Sequence, residues 1–110
     1  MKYAFFVLLR ATPAWLALSR ERRGELGAEH LRPLVQRAAP LLTMRYFDAE
    51  AFTAACSDVM LIETDDPLRH YFFMEALRDT HLLSTPYFEV VQIVPAVEEG
   101  FVEYESQLAG

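Results

Sequence analysis

With 110 residues the chain has room for one domain and a modest core, and its 53% hydrophobic content excludes a disordered or low-complexity segment. The net charge of −6 is uneven: residues 1–45 carry eight basic and three acidic side chains, residues 46–110 two basic and thirteen acidic ones. Scattered arginines, no basic run with interleaved aromatics and an acidic overall field exclude nucleic acid as the expected partner.

Lys2 to Leu9 reads as the first strand, and it is apolar on both sides: Tyr3, Phe5, Val7 and Leu9 line one face, Ala4, Phe6 and Leu8 the other. The same stretch imitates a signal peptide, but Arg10 stops the apolar run at the minimum length of such a region, and Trp15 and Leu16 stand where small residues would be needed. Thr12-Pro13 is a helix-start signal, and Ser19 caps a second, longer helix with Glu21 in its first turn. Leu31, Leu34, Val35 and Ala38 supply the buried stripe of that helix, and Pro33 kinks or splits it near Glu29 to Arg32.

Leu41 to Asp48 reads as strand two, Ala49 to Ala55 as a connection, and Asp58 to Thr64 as strand three. Asp66-Pro67 opens the next helix, with Phe72, Phe73, Ala76 and Leu77 as its buried stripe and Glu75 and Asp79 toward solvent. Thr80 to Pro86 reads as a loop and Tyr87 to Val94 as strand four, ended by Pro95. The acidic residues 97–110 read as a less ordered tail.

The order β-α-β-β-α-β implies a single ferredoxin-like α+β domain over residues 1–110, an antiparallel four-stranded sheet with two helices on one face. The other face carries Phe, Val, Leu and Met side chains that nothing in the chain is left to cover. Two sheets packed face to face would form a homodimeric α+β barrel.

The blocks KYAFFVLLRATPAWLALSR, RYFDAEAF, CSDV, MEALRDT and PYFEVVQIVP resemble the darcynin family of small bacterial proteins, over most of residues 2–95. The resemblance implies a ferredoxin-like fold and assigns no activity and no site residue. The element order is also similar to that of dimeric α+β barrel families, which include cofactor-independent monooxygenases, isomerases and haem enzymes, an analogy of fold alone.

Candidate chemistry is sparse. Asp66 and His70 sit one helical turn apart, a spacing that leaves a tetrahedral metal two ligands short, and there is no HxH, HExxH or CxxC; no metal site is expected. With no GxGxxG run, no flavin or nicotinamide cofactor is expected either. A lone Cys56 excludes an intrachain disulfide and points to a reducing, cytoplasmic compartment, and no apolar run reaches the roughly 20 residues of a membrane span.

His70 and Glu89 are the candidate acid or base, the latter because a carboxylate buried among Tyr87, Phe88, Val90 and Val91 would have a raised pKa. Arg45, embedded in strand two, either pairs with Glu63 or Asp58 or anchors an anionic ligand; Arg78 closes the second long helix and is a second anchor candidate. Trp15, Tyr46, Tyr71, Phe72, Phe73 and Met74 are the aromatic and soft side chains available to line a pocket or fill a core. The reading that follows is a dimer holding a small apolar or aromatic molecule between helices and sheet. Its rivals are a cofactor-independent oxygenase or isomerase on the same scaffold, and a structural or regulatory dimer without a pocket.

Overall fold

The computed structural model describes residues Met1–Gly110. Four strands, β1 (Tyr3–Ala11), β2 (Leu42–Asp48), β3 (Asp58–Thr64) and β4 (Phe88–Val97), form one sheet in the order β2-β3-β1-β4. Every neighbouring pair is antiparallel, with β1 and β3 in the centre. This is the ferredoxin-like α+β arrangement read from the element order. Strand β4 runs through Pro95 to Val97, where the sequence had it stopping. An edge strand has one row of backbone donors that need no partner, so a proline is tolerated there.

Side-chain hydroxyls and one carboxylate start the helices. Thr12 Oγ1 accepts from Trp15 N at 3.4 Å and opens α1 (Pro13–Leu16); Ser19 Oγ accepts from Arg22 N at 3.0 Å and opens α2 (Arg20–Leu26). Asp66 Oδ1 accepts from Leu68 N at 3.0 Å and opens α4 (Pro67–Arg78). Between α2 and α3 (Arg32–Ala38) the chain widens into a π-turn over Gly27–Leu31. Pro33 has no N–H to give to the preceding turn, and the extra residue of a π-turn accommodates the missing rung. The expected kink thus takes the form of a bulge, and the helix restarts with proline in its first turn, where no donor is needed.

The loop expected over Thr80 to Pro86 contains a short helix, α5 (His81–Ser84), capped by Thr80 Oγ1. The tail contains a ten-residue helix, α6 (Gly100–Ala109), which buries none of its residues. It turns away from β4 at Glu99, in the left-handed region with φ 45°, followed at once by Gly100. A Cβ at position 100 would stand 2.7 Å from Val97 Cγ2, so glycine permits the close turn between strand and helix.

The core lies between α3–α5 and one sheet face. Phe5, Val7 and Leu9 of β1, Met60 and Ile62 of β3 and Leu42 of β2 meet Leu34, Phe73, Leu77 and Leu82 from the helices. The buried stripe of α4 is His70, Phe73 and Leu77; Phe72, expected inward, is 60% exposed. Its position, one residue short of Phe73, rotates it away from the i, i+3, i+7 row that the sheet selects.

A polar-ended cavity between helices and sheet

A cavity of about 590 Å³ opens where the end of β1, the end of β2 and the start of β3 face α1, α2 and α5. Its apolar wall is held by Trp15, Leu31, Leu77, Leu82 and Phe88. Trp15 packs against Phe88 with ring centroids 4.7 Å apart and against Tyr87 at 5.6 Å. Thr12 fixes this wall: its hydroxyl lies 2.9 Å from the Pro86 carbonyl and 3.1 Å from that of Tyr87, while also capping the turn that carries Trp15. The sole tryptophan of the chain is therefore locked between helix and edge strand, facing the cavity.

The other end of the cavity is polar because of strand register. Asp48 of β2 stands opposite Asp58 of β3, and Tyr46 opposite Met60, so all four share the helix-side face. Glu50, two residues past β2, joins them. Carboxylate oxygens of Asp48, Glu50 and Asp58 lie within 4.8 Å of one another. Asp58, 8% exposed, receives a hydrogen bond from Ser57 Oγ at 2.6 Å, and the Tyr46 hydroxyl lies beside it.

Burial pushes the Asp58 carboxyl above its usual range, and the neighbouring Glu50 and Asp48 push the same way, against the hydrogen bonds from Ser57 and Tyr46. The Tyr46 phenol is driven well above its ordinary pKa by burial and by the Asp58 charge, so it remains a neutral donor. None of the ion pairs in the fold, Arg22–Glu25, Glu29–His30, Arg45–Glu63 and Glu75–Arg78, reaches these three carboxylates. Arg23 lines the cavity but its guanidinium is held by the carbonyls of Trp15 at 3.2 Å and Leu16 at 2.9 Å. Arg10 and Arg20 line it as well, the former held by the carbonyls of Ala54 at 3.2 Å and Ala55 at 2.7 Å. The cavity thus has an aromatic wall and an acidic end whose carboxylates form no ion pair with the arginines around them. Chemically, three clustered oxygen ligands suit a hard divalent cation or an organic ammonium.

Of the residues singled out in the sequence, Trp15 and Tyr46 line this cavity. His70 does not; it stacks on Phe5 inside the core. Phe73 is core, 5% exposed. Tyr71, Arg78 and Glu89 come together along a separate open groove between α4, α5 and β4. Glu89 is exposed, not buried among its apolar neighbours, because its register with Arg10 turns it to the sheet face away from the core, while Phe88 beside it turns inward. Arg45 lies on the opposite sheet face, paired with Glu63 at 3.4 Å, the structural alternative of the two open in the sequence. Asp48 and Glu50 were the site residues that sequence reading passed over, and Asp58 was read there only as a partner for Arg45. The available signal was the alternation of Tyr46 with Asp48 on one strand and of Asp58 with Met60 on its neighbour.

Fold and cavity define a small ferredoxin-like α+β protein with a single sheet. Its coordinates are similar to chlorite dismutase from Candidatus Nitrospira defluvii in complex with imidazole (TM-score 0.77, 15% identity, 89% of this chain and 40% of that one). A variant of the same protein gives a TM-score of 0.76 at 16% identity, over 98% of this chain and 46% of that one. The chain spans less than half the length of those structures, and at this identity the likeness is one of fold. The sequence is more telling: residues 2–108 match Darcynin, a domain of unknown function, and the chain belongs to that family. It is 43% identical over 91 residues to Darcynin 1 of Acinetobacter baumannii, covering 83% of this chain and all of that one. With Darcynin of Chromobacterium violaceum it shares 51% over 79 residues, 72% of this chain and 99% of that one.

Proposed function

We propose that the protein binds a small molecule in the cavity between helices and sheet, with an aromatic or apolar body against Trp15 and Phe88 and a hydrogen-bond-donating, cationic end at Tyr46, Asp58, Asp48 and Glu50. What supports this reading is the pairing of an apolar wall with the buried carboxylate of Asp58, flanked by the exposed Asp48 and Glu50, none of which forms an ion pair with an arginine or lysine. A carboxylate held out of water without a counter-ion is costly, and a ligand ammonium would offset that cost. The volume, about 590 Å³, lies in the range of small-molecule sites. Such a binder would work in a reducing cytoplasm, in keeping with the single buried thiol of Cys56. No helix is long and apolar enough to cross a membrane.

Trp15 reports the outcome directly, being the only tryptophan. Intrinsic fluorescence and calorimetry are measured with three matched ligands: an arylalkylamine, an arylalkyl alcohol and an arylalkyl carboxylate. The amine is expected to bind tightest, and Asp58→Asn to weaken it about tenfold while leaving the alcohol within twofold. Equal affinity for all three would remove the acidic end from the reading. No fluorescence response to any of them would remove the cavity.

A second reading, a cofactor-independent enzyme, draws on one observation: a carboxyl with raised proton affinity beside a neutral phenol is a combination suited to proton transfer. It requires a change in the bound ligand over time, measured by mass spectrometry, that Asp58→Asn abolishes.

A further inference from the structure

We infer that a second copy of this chain covers the bare sheet face, so that the protein is a two-fold dimer closed sheet to sheet. Register decides which side chains lie there. Phe6 pairs with Leu61 and with Val94, Leu8 with Val59, and Phe47 with Val59, so these residues share the face opposite the core. Phe6 is 38%, Val94 41% and Phe47 47% exposed. Helices α3 to α5 are committed to the other face, where Leu34, Phe73 and Leu82 meet Phe5, Val7 and Ile62. The last helix, α6, buries nothing. An apolar surface spread over four strands is an interaction surface.

Charge selects the occupant. The charged residues placed on this face by register are Arg45, Glu63, Arg10 and Glu89, two of each sign, within a chain whose net charge is −6. Two copies repel through the remainder of their surfaces and meet at low cost through this neutral one. Glu63 stands level with Ala4, near the start of β1, and Arg45 beside it at 3.4 Å; Glu89 stands level with Arg10, near the end of β1. Arg45 and Glu63 neutralise each other within one copy, and the Arg10 guanidinium is held by the carbonyls of Ala54 and Ala55, so the face brings little uncompensated charge to a contact with its own copy. An isologous contact of this kind closes at two copies. Packed sheets stand about 10 Å apart with side chains interdigitating, which Phe, Leu and Val rows permit. A single copy is a slab of 57 × 31 × 19 Å that a second copy would thicken.

Sedimentation equilibrium of the full chain tests this. The expected mass at low micromolar concentration is twice 12.6 kDa. Val94→Glu sets a carboxylate into the contact from each copy and is expected to weaken dimerisation about 100-fold or more, with the far-UV circular dichroism unchanged. Phe47→Glu, on the other edge strand, is the second variant should the first not fold. Leu16→Glu, on the helix side, is the control that retains the dimer. A wild type that sediments at 12.6 kDa overturns the inference, whether it stays alone or assembles only with another protein or with lipid vesicles. So does a dimer whose dissociation is unmoved by folded variants at both positions, since the contact then lies elsewhere.

Discussion

His70 lies flat on Phe5, ring centroids 3.8 Å apart and planes 4° from parallel, and its Nδ1 is buried without a partner. An imidazole so placed behaves as an aromatic disc in the core. Burial holds its pKa below the ordinary histidine value.

The first prediction follows from that stack. In the window from about pH 6.5 down to the depressed folded-state pKa, the unfolded chain binds more protons than the folded one, so stability falls as the pH is lowered. Urea titrations at pH 7.5 and pH 5.5 should show that loss, and His70→Phe should reduce it. A pH dependence that is the same in both proteins would assign it to other groups.

Asp58 has the opposite linkage. Its folded-state pKa is raised, so the folded chain holds the extra proton in the window above about pH 4. Its contribution to stability declines as pH rises through that window and stays unfavourable at neutrality. Asp58→Asn should therefore stabilise the empty protein at pH 7, with the gain vanishing toward pH 3. Thermal melts across that range check it; a destabilised variant at pH 7 would mean that the Ser57 and Tyr46 hydrogen bonds outweigh burial.

Thr12 ties the wall of the cavity to the start of β4. Thr12→Val keeps the shape and removes the hydroxyl that meets the Pro86 and Tyr87 carbonyls, at a cost of about 1–2 kcal/mol. The fluorescence of Trp15 should shift in the folded variant, since its capping contact is lost. An unchanged emission maximum would show that Phe88 and Tyr87 hold the ring unaided.

Ile62 is fully buried at the centre of β3. Ile62→Ala is expected to cost about 2–5 kcal/mol by chemical denaturation, the range for a large core side chain cut to alanine. A loss under 1 kcal/mol would show that the layer between α4 and the sheet collapses into the gap.

The strand order was legible because the hydrophobic runs are bounded by strong punctuation, Pro13 after the first, Pro40 before the second, Pro67 after the third and Pro86 before the last. The acidic end of the cavity was not. Asp48, Glu50 and Asp58 belong to the boundary between a strand and a connection, where a charged residue reads as ordinary solvent-facing surface. Only the register between β2 and β3 brings them together. The orientation of α4 was misread for a different reason: Phe72 and Phe73 are adjacent and equally apolar, and the sheet can take just one of them. His70, read as a candidate base, fills the place in that row that an apolar residue would have taken.

In the sheet, the first strand of the chain is bonded to the last, Tyr3 against Val97 and Ala11 against Phe88. During synthesis β1 is made before either of its neighbours and can pair with β3 first, yet its remaining row of backbone donors and acceptors stays open until β4 has emerged. For that interval the nascent chain exposes an apolar edge at what will become the middle of its sheet. Completion of the sheet thus waits on Phe88–Val97, and a chain cut before Phe88 would be prone to strand-mediated aggregation in place of forming a smaller version of the fold.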